Sequence, residues 1–202
     1  MGYTTDFRGS FQFDRPLTVQ EKDYMDKFNK TRRMKRDVQK LFETHKGKHG
    51  SPMVTTITPE VQEHINFLKG AGYQVSITPL KDKRKPEEIY GVDGEYFVGG
   101  GGHAGQNHDD NIIDYNTPPK NQPGLWCQWT VNKNGLKLEW DGGEKFYNYV
   151  EWLKYLIEHF FSKWDVILNG EVEWQGEDAT DVGKIVVTNN EVKVLKGRVV
   201  YE

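Results

Sequence analysis

The sequence of 202 residues contains a single cysteine, Cys127. One cysteine excludes an internal disulfide and is typical of proteins from a reducing compartment. No stretch approaches the roughly 18 apolar residues that a membrane-spanning helix needs. The first 16 residues, MGYTTDFRGSFQFDRP, also lack the apolar core of a signal peptide. We therefore expect a cytoplasmic protein that does not act at a membrane.

The chain also lacks a strong excess of either charge, since 27 Lys and Arg residues oppose 30 Asp and Glu residues. With a formal net charge of −3, overall electrostatics does not draw the chain to nucleic acid. Basic residues are nevertheless concentrated between Lys27 and Lys40, and acidic residues in the C-terminal half. This polarity predicts two faces of opposite charge.

The first 42 residues carry the patterns of a strand and a helix. Residues 7–13 alternate apolar and polar side chains, which predicts an edge or half-buried strand. Thr18 and Glu21 have the spacing of a capping box, which marks the start of a helix. We expect this helix to run to about Arg36, or at most to Phe42, with a solvated basic face.

Residues 51–79 have the character of a separate small unit. Thr58 followed by Pro59 predicts the start of a helix, because proline is favoured in the first helical turn. The predicted helix lies between two strand-like stretches, residues 53–57 and 73–77. This β-α-β-like pattern is too short to form a large parallel sheet.

The C-terminal half reads mainly as strands. Asn134-Gly135 predicts a hairpin turn, and an apolar stripe predicts a helix over residues 149–164. The strand-like stretches are residues 96–98, 125–131 and 136–140, followed by three more between residues 166 and 200. The predicted fold class is therefore α+β: one domain, residues 1–202, with a mainly antiparallel sheet packed on one or two helices.

Three strings of uncommon residues lie at positions 122–129, 139–147 and 169–178: QPGLWCQW, EWDGGEKFY and NGEVEWQGED. With the start GYTTDF and the TRRMKR run, they resemble a family of uncharacterised proteins encoded by bacterial genomes, prophages and phages. The resemblance implies a phage or mobile-element origin, and hence the host cytoplasm, but no activity. It covers residues 1–36 and 93–194, so residues 38–91 are expected to be an insertion in the domain.

A glycine-rich stretch after residue 98 is the first candidate binding site. Consecutive glycines let backbone amides converge on a phosphate, although this stretch lacks both the Lys-Ser/Thr pair of a Walker motif and the context of a dinucleotide fingerprint. A loop that serves only packing or flexibility is the alternative. Tryptophans of neighbouring strands could add aromatic contacts. The predicted ligand-binding residues are Gly99, Gly100, Gly101, Gly102, Gly105, Gln106, Trp126, Trp129, Trp140 and Trp174.

Two further groups of residues carry alternative chemistry. The first lies around the glycine-rich stretch and has metal-ligand side chains without a recognised ligand spacing, so we predict no metal and no other cofactor. These residues are His103, His108, Asp109, Asp110 and Asp114.

The second group offers the carboxylate pairs that glycoside hydrolysis uses, although strand alternation gives the same pattern on a solvated sheet face. Its members are Glu139, Asp141, Glu144, Glu171, Glu173, Glu177 and Asp178.

The basic run could contact nucleic-acid phosphates through Arg32, Arg33, Lys35 and Arg36. A charged helix face without a groove-reading motif is more often simply solvated. We therefore favour a non-enzymatic binding protein. It would bind a small anionic or nucleotide-like ligand, or a host protein, and so interfere with host signalling or defence. A hydrolase and a nucleic-acid binder stay open as alternatives, and the sequence does not predict the oligomeric state.

Overall fold

The computed structural model describes residues 2–50, 57–77, 84–99 and 109–198. The helices are α1 (Val19–Lys30), α2 (Val38–His45), α3 (Pro59–Gly70), α4 (Pro86–Tyr90) and α5 (Tyr149–Leu156). The strands are β1 (Thr5–Phe13), β2 (Lys35–Arg36), β3 (Ile112–Asp114), β4 (Trp129–Val131), β5 (Lys137–Trp140), β6 (Leu168–Gly176), β7 (Val182–Thr188) and β8 (Glu191–Lys196).

The chain divides into two compact units. The sheet unit comprises Met1–Pro16 and Gln128–Glu202, and the helical unit comprises Leu17–Cys127. The predicted insertion, residues 38–91, lies wholly inside the helical unit. No helix within the described ranges combines the length and apolar character needed to cross a bilayer.

The sheet unit contains six antiparallel strands in the order β4-β5-β1-β6-β7-β8. This arrangement confirms the predicted α+β class with a mainly antiparallel sheet. The 132–135 hairpin, the 149–164 helix and the three C-terminal strands are also present. Strand β1 pairs with β5 on one side and β6 on the other, so it is an inner strand and not an edge strand.

One face of the sheet is buried because apolar residues alternate along the strands. Phe7, Phe11 and Phe13 of β1 are at most 8% exposed, and the side chains between them are exposed or half-buried. Helix α5 adds Trp152 and Leu153 to this core. It continues through one π-helical turn, Ile157–Phe161, and a 3-10 turn, Ser162–Trp164. The predicted helix is therefore a core element of the sheet unit.

Helix α1 begins where the capping box predicts, since Thr18 accepts from the Glu21 amide and Glu21 accepts from the Thr18 amide. Its predicted end was wrong, because the helix ends at Lys30 and residues 31–36 are not helical. The Thr31 hydroxyl donates to the Lys27 carbonyl oxygen at 2.6 Å while its own backbone is extended. Residues 35–36 then pair with β3 as strand β2.

Two predicted strands are absent from the structure. Residues 73–77 and 96–98 do not pair with any described strand and have irregular backbone. Their apolar residues instead pack individually against neighbouring side chains. Val75, for example, packs on a cluster of Val19, Val61, Ile65 and Leu68. Of the other predicted strand, residues 53–57, only Ile57 lies within the described ranges.

Helix α3 is fixed to the start of α1 by a buried histidine. His64 is 2% exposed, and its Nε2 lies 2.8 Å from the Leu17 carbonyl oxygen. Because a carbonyl oxygen only accepts, Nε2 carries the proton of the neutral ring. The Nδ1 atom has no hydrogen-bond partner among the described residues. A second proton on this ring would therefore create a buried charge.

We expect acid to destabilise the helical unit below about pH 6.5. Burial lowers the pKa of His64, His45 and His49 from the ordinary value of 6.5. The unfolded chain therefore takes up protons first as the pH falls, and the stability present above about pH 6.5 is lost toward the lower folded-state pKa. Urea unfolding at pH 7.5 and 5.5 measures this loss. His64→Gln, which can keep the Leu17 hydrogen bond, should reduce it, and equal stability at both pH values would contradict the prediction.

Candidate functional site

The chain between Gly99 and Asp109 contains the glycine-rich stretch, and we call it the glycine-rich loop. Its two ends are held by residues 31–36, the segment that follows α1. At the start of the loop, the Gly99 amide donates to the Thr31 hydroxyl oxygen at 2.9 Å. At the end, Arg36 Nη1 donates to Asn111 Oδ1 at 2.5 Å and to Asp109 Oδ2 at 3.2 Å. Residues 31–36 therefore contact both ends of the loop.

Only one of the predicted ligand residues of this loop lies among the residues that the structure describes. Gly99 is described and buried. Gly100, Gly101, Gly102, Gly105 and Gln106 lie outside the described residues, as do His103 and His108. The geometry of the site is therefore that of the residues around the two ends of the loop.

Four basic or imidazole side chains gather around Phe97, two residues before Gly99. The Arg36 guanidinium lies 4.3 Å from the Phe97 ring centroid, and the His45 and His49 rings lie 5.3 and 6.2 Å from it. Arg33 donates to the Phe97 carbonyl oxygen. We call Phe97, Arg33, Arg36, His45 and His49 the Phe97 cluster.

Helix α2 and the turn after it position the two histidines. His45 ends α2, which Asp37 caps by accepting from the amides of Gln39 and Lys40. His49 has a left-handed backbone with φ of 63°, and its carbonyl oxygen accepts from the Val98 amide at 2.8 Å. Residues other than glycine adopt this left-handed conformation only uncommonly. The hydrogen bond from Val98 joins this turn to the segment that leads into the glycine-rich loop.

Burial and neighbouring charges shift the pKa values of Arg36, His45 and His49. Burial lowers the pKa of Arg36, although the Asp109 carboxylate opposes this effect. Burial also lowers the pKa of His45, with smaller effects from Asp109, which raises it, and Arg36, which lowers it. For His49, burial acts first, and the nearby His45, Lys27 and Lys48 lower the pKa further. Both imidazoles are therefore neutral at pH 7, beside guanidinium groups that keep their charge.

The basic residues predicted for nucleic acid do not form a solvated helix face. Arg33 and Arg36 are each 2% exposed, so the expectation of a solvated basic face is wrong for them. Arg33 lies with its guanidinium 4.3 Å from the Phe28 ring centroid, a contact that fixes it inside the helical unit. Arg32 donates to the Tyr115 carbonyl oxygen at 3.1 Å, and Lys35 is half-buried. Only Arg32 and Lys35 of this set reach the surface.

The four tryptophans predicted for ligand binding are not equivalent. Trp129 is fully buried, and its indole N–H donates to the Tyr149 carbonyl oxygen at 2.8 Å. Trp174 is 6% exposed and donates to Asp181 Oδ1 at 3.2 Å. Trp140 and Trp126 are half-buried. The sheet unit holds Trp129, Trp140 and Trp174, and the helical unit holds Trp126 and Gly99, so the predicted residues belong to both units.

Most residues of the predicted acidic group have structural partners in the sheet unit. Lys184 Nζ contacts Glu171 Oε1 at 2.8 Å and Glu173 Oε1 at 3.4 Å, so these two carboxylates share an ammonium group. Others order loops by accepting backbone amides: Glu177 from Thr4 and Asp178 from Thr180. Asp141 accepts from the Gly143 amide, while Glu139 is half-buried and Glu144 exposed. Five of the seven predicted carboxylates thus have a structural contact.

The described members of the predicted His/Asp group also have separate surroundings. Asp109 pairs with Arg36, whereas Asp110 is exposed. Asp114 accepts from the Asn116 amide and the Thr117 hydroxyl, both at 2.8 Å. No group of three His, Cys, Asp or Glu residues could hold a metal ion within the ranges that the structure describes.

A groove of about 530 Å³ lies on the sheet unit, mostly over the face opposite the core. Its outward-facing lining combines charged and apolar side chains: Asp6, Arg8, Glu173, Gln175, Val182, Lys184 and Leu195. The charges alternate across paired strands, as in the row of Arg8, Glu173 and Lys184. Such a balanced lining favours no single charge on a ligand.

The sequence did not reveal Phe97, His45 or His49 as site residues. The only signal is the spacing of two histidines in HKGKHG, which alone is compatible with an ordinary polar turn. No protein-family model, curated protein or solved structure matches this chain.

Proposed function

We propose that this chain is a non-enzymatic binding protein for a small anionic, nucleotide-like ligand, held at the Phe97 cluster. The observation that carries the proposal is the convergence of Arg36, His45 and His49 on Phe97, directly before the glycine-rich loop. Arginine and imidazole donors are the groups that bind phosphate oxygens through charge-assisted hydrogen bonds. Anchored loop ends reduce the entropy lost when a ligand binds.

The arrangement of the two histidines favours binding over phosphoryl chemistry. Their ring centroids lie only 5.3 Å apart at 84°, so the rings are in edge-to-face contact. A phosphate does not fit between rings in contact, whereas an acid and a base must act on opposite sides of a reacting phosphorus in an in-line displacement. Two adjacent imidazoles can instead point to oxygens of the same anion.

The resemblance to phage-encoded proteins suggests what such binding would do in a host cell. A phage-encoded protein that binds nucleotide-like anions without turning them over would remove a signalling nucleotide of the host from solution. A host protein remains the alternative partner, and it would contact the groove on the sheet unit.

Titration of the purified protein with 3′,5′-cyclic nucleotides, mononucleotides and sulfate tests the proposal. We expect at least one of them to raise the melting temperature and to give a binding isotherm in calorimetry. His49→Ala should weaken the affinity by about 10- to 100-fold, the value of one charge-assisted hydrogen bond. His159→Ala is the matched control, since His159 stacks on Tyr155 in the sheet unit. If no anion binds or stabilises the protein, the proposal is wrong.

A further inference from the structure

We infer that the Phe97 cluster binds its anion together with a proton, so that the site is a pH-dependent anion receptor. This inference rests on the proposed function and adds its regulation. The proton-binding groups are His45 and His49, and the anion is a phosphodiester or another strong-acid anion that keeps its charge between pH 5.5 and 8.

The contact between the two histidines is the first observation. Each ring is half-buried, and both rings pack against Phe97. With their centroids 5.3 Å apart, two protonated rings would repel each other strongly. An anion beside both rings offsets this repulsion and so favours the uptake of a proton on binding.

The charged groups that act on the two rings come from four segments of the helical unit. Arg36, from the segment after α1, and Asp109, from the end of the glycine-rich loop, act on His45. Lys27 of α1 and Lys48 of the turn after α2 act on His49. Three cations and one carboxylate therefore face the imidazoles. Burial has the largest effect on both rings and lowers their pKa values, so both are neutral before an anion binds.

An atom of His45 provides an independent observation. Its Nε2 is buried and has no hydrogen-bond partner among the residues that the structure describes. A buried polar atom without a partner is costly, and most native proteins avoid it. Protonation makes Nε2 a donor, and an anion oxygen is the acceptor that this donor needs. The protonated Nε2 atom and the anion oxygen thus form a hydrogen bond that neither would have alone.

Calorimetry with sulfate and with a 3′,5′-cyclic nucleotide measures the coupling, because neither phosphodiester nor sulfate titrates in this range. Experiments at pH 6, 7 and 8, in two buffers with different ionisation enthalpies, give the number of protons taken up. We expect uptake of a substantial fraction of one proton and an affinity about tenfold higher at pH 6 than at pH 8. His45→Gln and His49→Gln should remove the pH dependence, and His159→Gln should keep it.

The outcomes separate this inference from the proposed function. Binding that is independent of pH and takes up no proton overturns the inference and leaves the binding function in place. Absence of binding at every pH overturns both, and proton uptake that persists in the His45→Gln and His49→Gln variants overturns the inference. NMR titration of the wild-type imidazole protons, with and without sulfate, needs no variant. It should show two histidine pKa values that rise with sulfate, and unchanged values would also overturn it.

Discussion

Replacement of Trp129 by alanine is expected to lower the free energy of unfolding by about 3–5 kcal/mol, as for other large aromatic residues removed from a core. The Trp129 ring lies 5.5–5.6 Å, centroid to centroid, from the rings of Phe7, Phe11 and Phe146. Truncation would leave a cavity among these rings that the paired strands around them cannot close. It would also remove the hydrogen bond to the Tyr149 carbonyl oxygen.

Chemical denaturation followed by circular dichroism measures this effect. Trp129→Phe is the first control, since it keeps most of the packing and loses only the indole donor, at a cost of about 1 kcal/mol for the hydrogen bond plus a smaller cavity. Trp140→Ala is the second control, because Trp140 is half-buried. A loss under 1 kcal/mol for Trp129→Ala would show that the sheet unit does not depend on this residue, and would contradict the prediction.

Replacement of Arg36 by alanine is expected to cost the helical unit about 2–3 kcal/mol and to abolish anion binding. The substitution leaves the Asn111 side chain without its donor in a buried place, and a stranded buried polar group costs about 1–3 kcal/mol. It also removes the contact with the Phe97 ring, which is worth about 0.5–2 kcal/mol. Asp109 is 37% exposed in its side chain, so water can solvate it and limits the loss.

Hydrogen exchange distinguishes this local effect from general unfolding. We expect faster exchange at residues 109–114 and at Gly99, where Arg36 and Thr31 anchor the loop ends, with little change in the sheet unit. Lys40→Ala removes an exposed cation from α2 and is the matched control, expected within about 0.5 kcal/mol of wild type. Loss of stability without a change in exchange at the loop ends would contradict the anchoring role of Arg36.

The Phe97 cluster shows why site prediction from the sequence was incomplete. The glycines drew attention to the loop, and the basic run to residues 32–36, but as two separate hypotheses. The structure joins them, because residues 31–36 hold the loop at Gly99 and at Asp109 and Asn111. Contacts over more than 60 residues of sequence leave no local pattern. His45 and His49 become site residues only through Phe97, which lies about 50 positions further along.

The sequence by itself determined the elements whose signals are local. The capping box at Thr18, the helix start at Thr58-Pro59 and the hairpin at 132–135 each need only neighbouring residues, and all three are present. The same holds for the alternation along β1 and the apolar stripe of α5, which require burial on one side but not a particular partner.

Only the tertiary structure decided where α1 ends and what the basic run does. Helix propensity favours continuation past Lys30, since arginine, methionine and lysine are good helix formers. Instead the helix ends at Lys30, and Arg33 and Arg36 are buried against Phe28 and Phe97. Propensity contributes only tenths of a kcal/mol per residue, roughly, whereas stranding these buried groups would cost several times more. The cost of unpaired buried groups therefore determines where α1 ends, and it depends on residues far away in the chain.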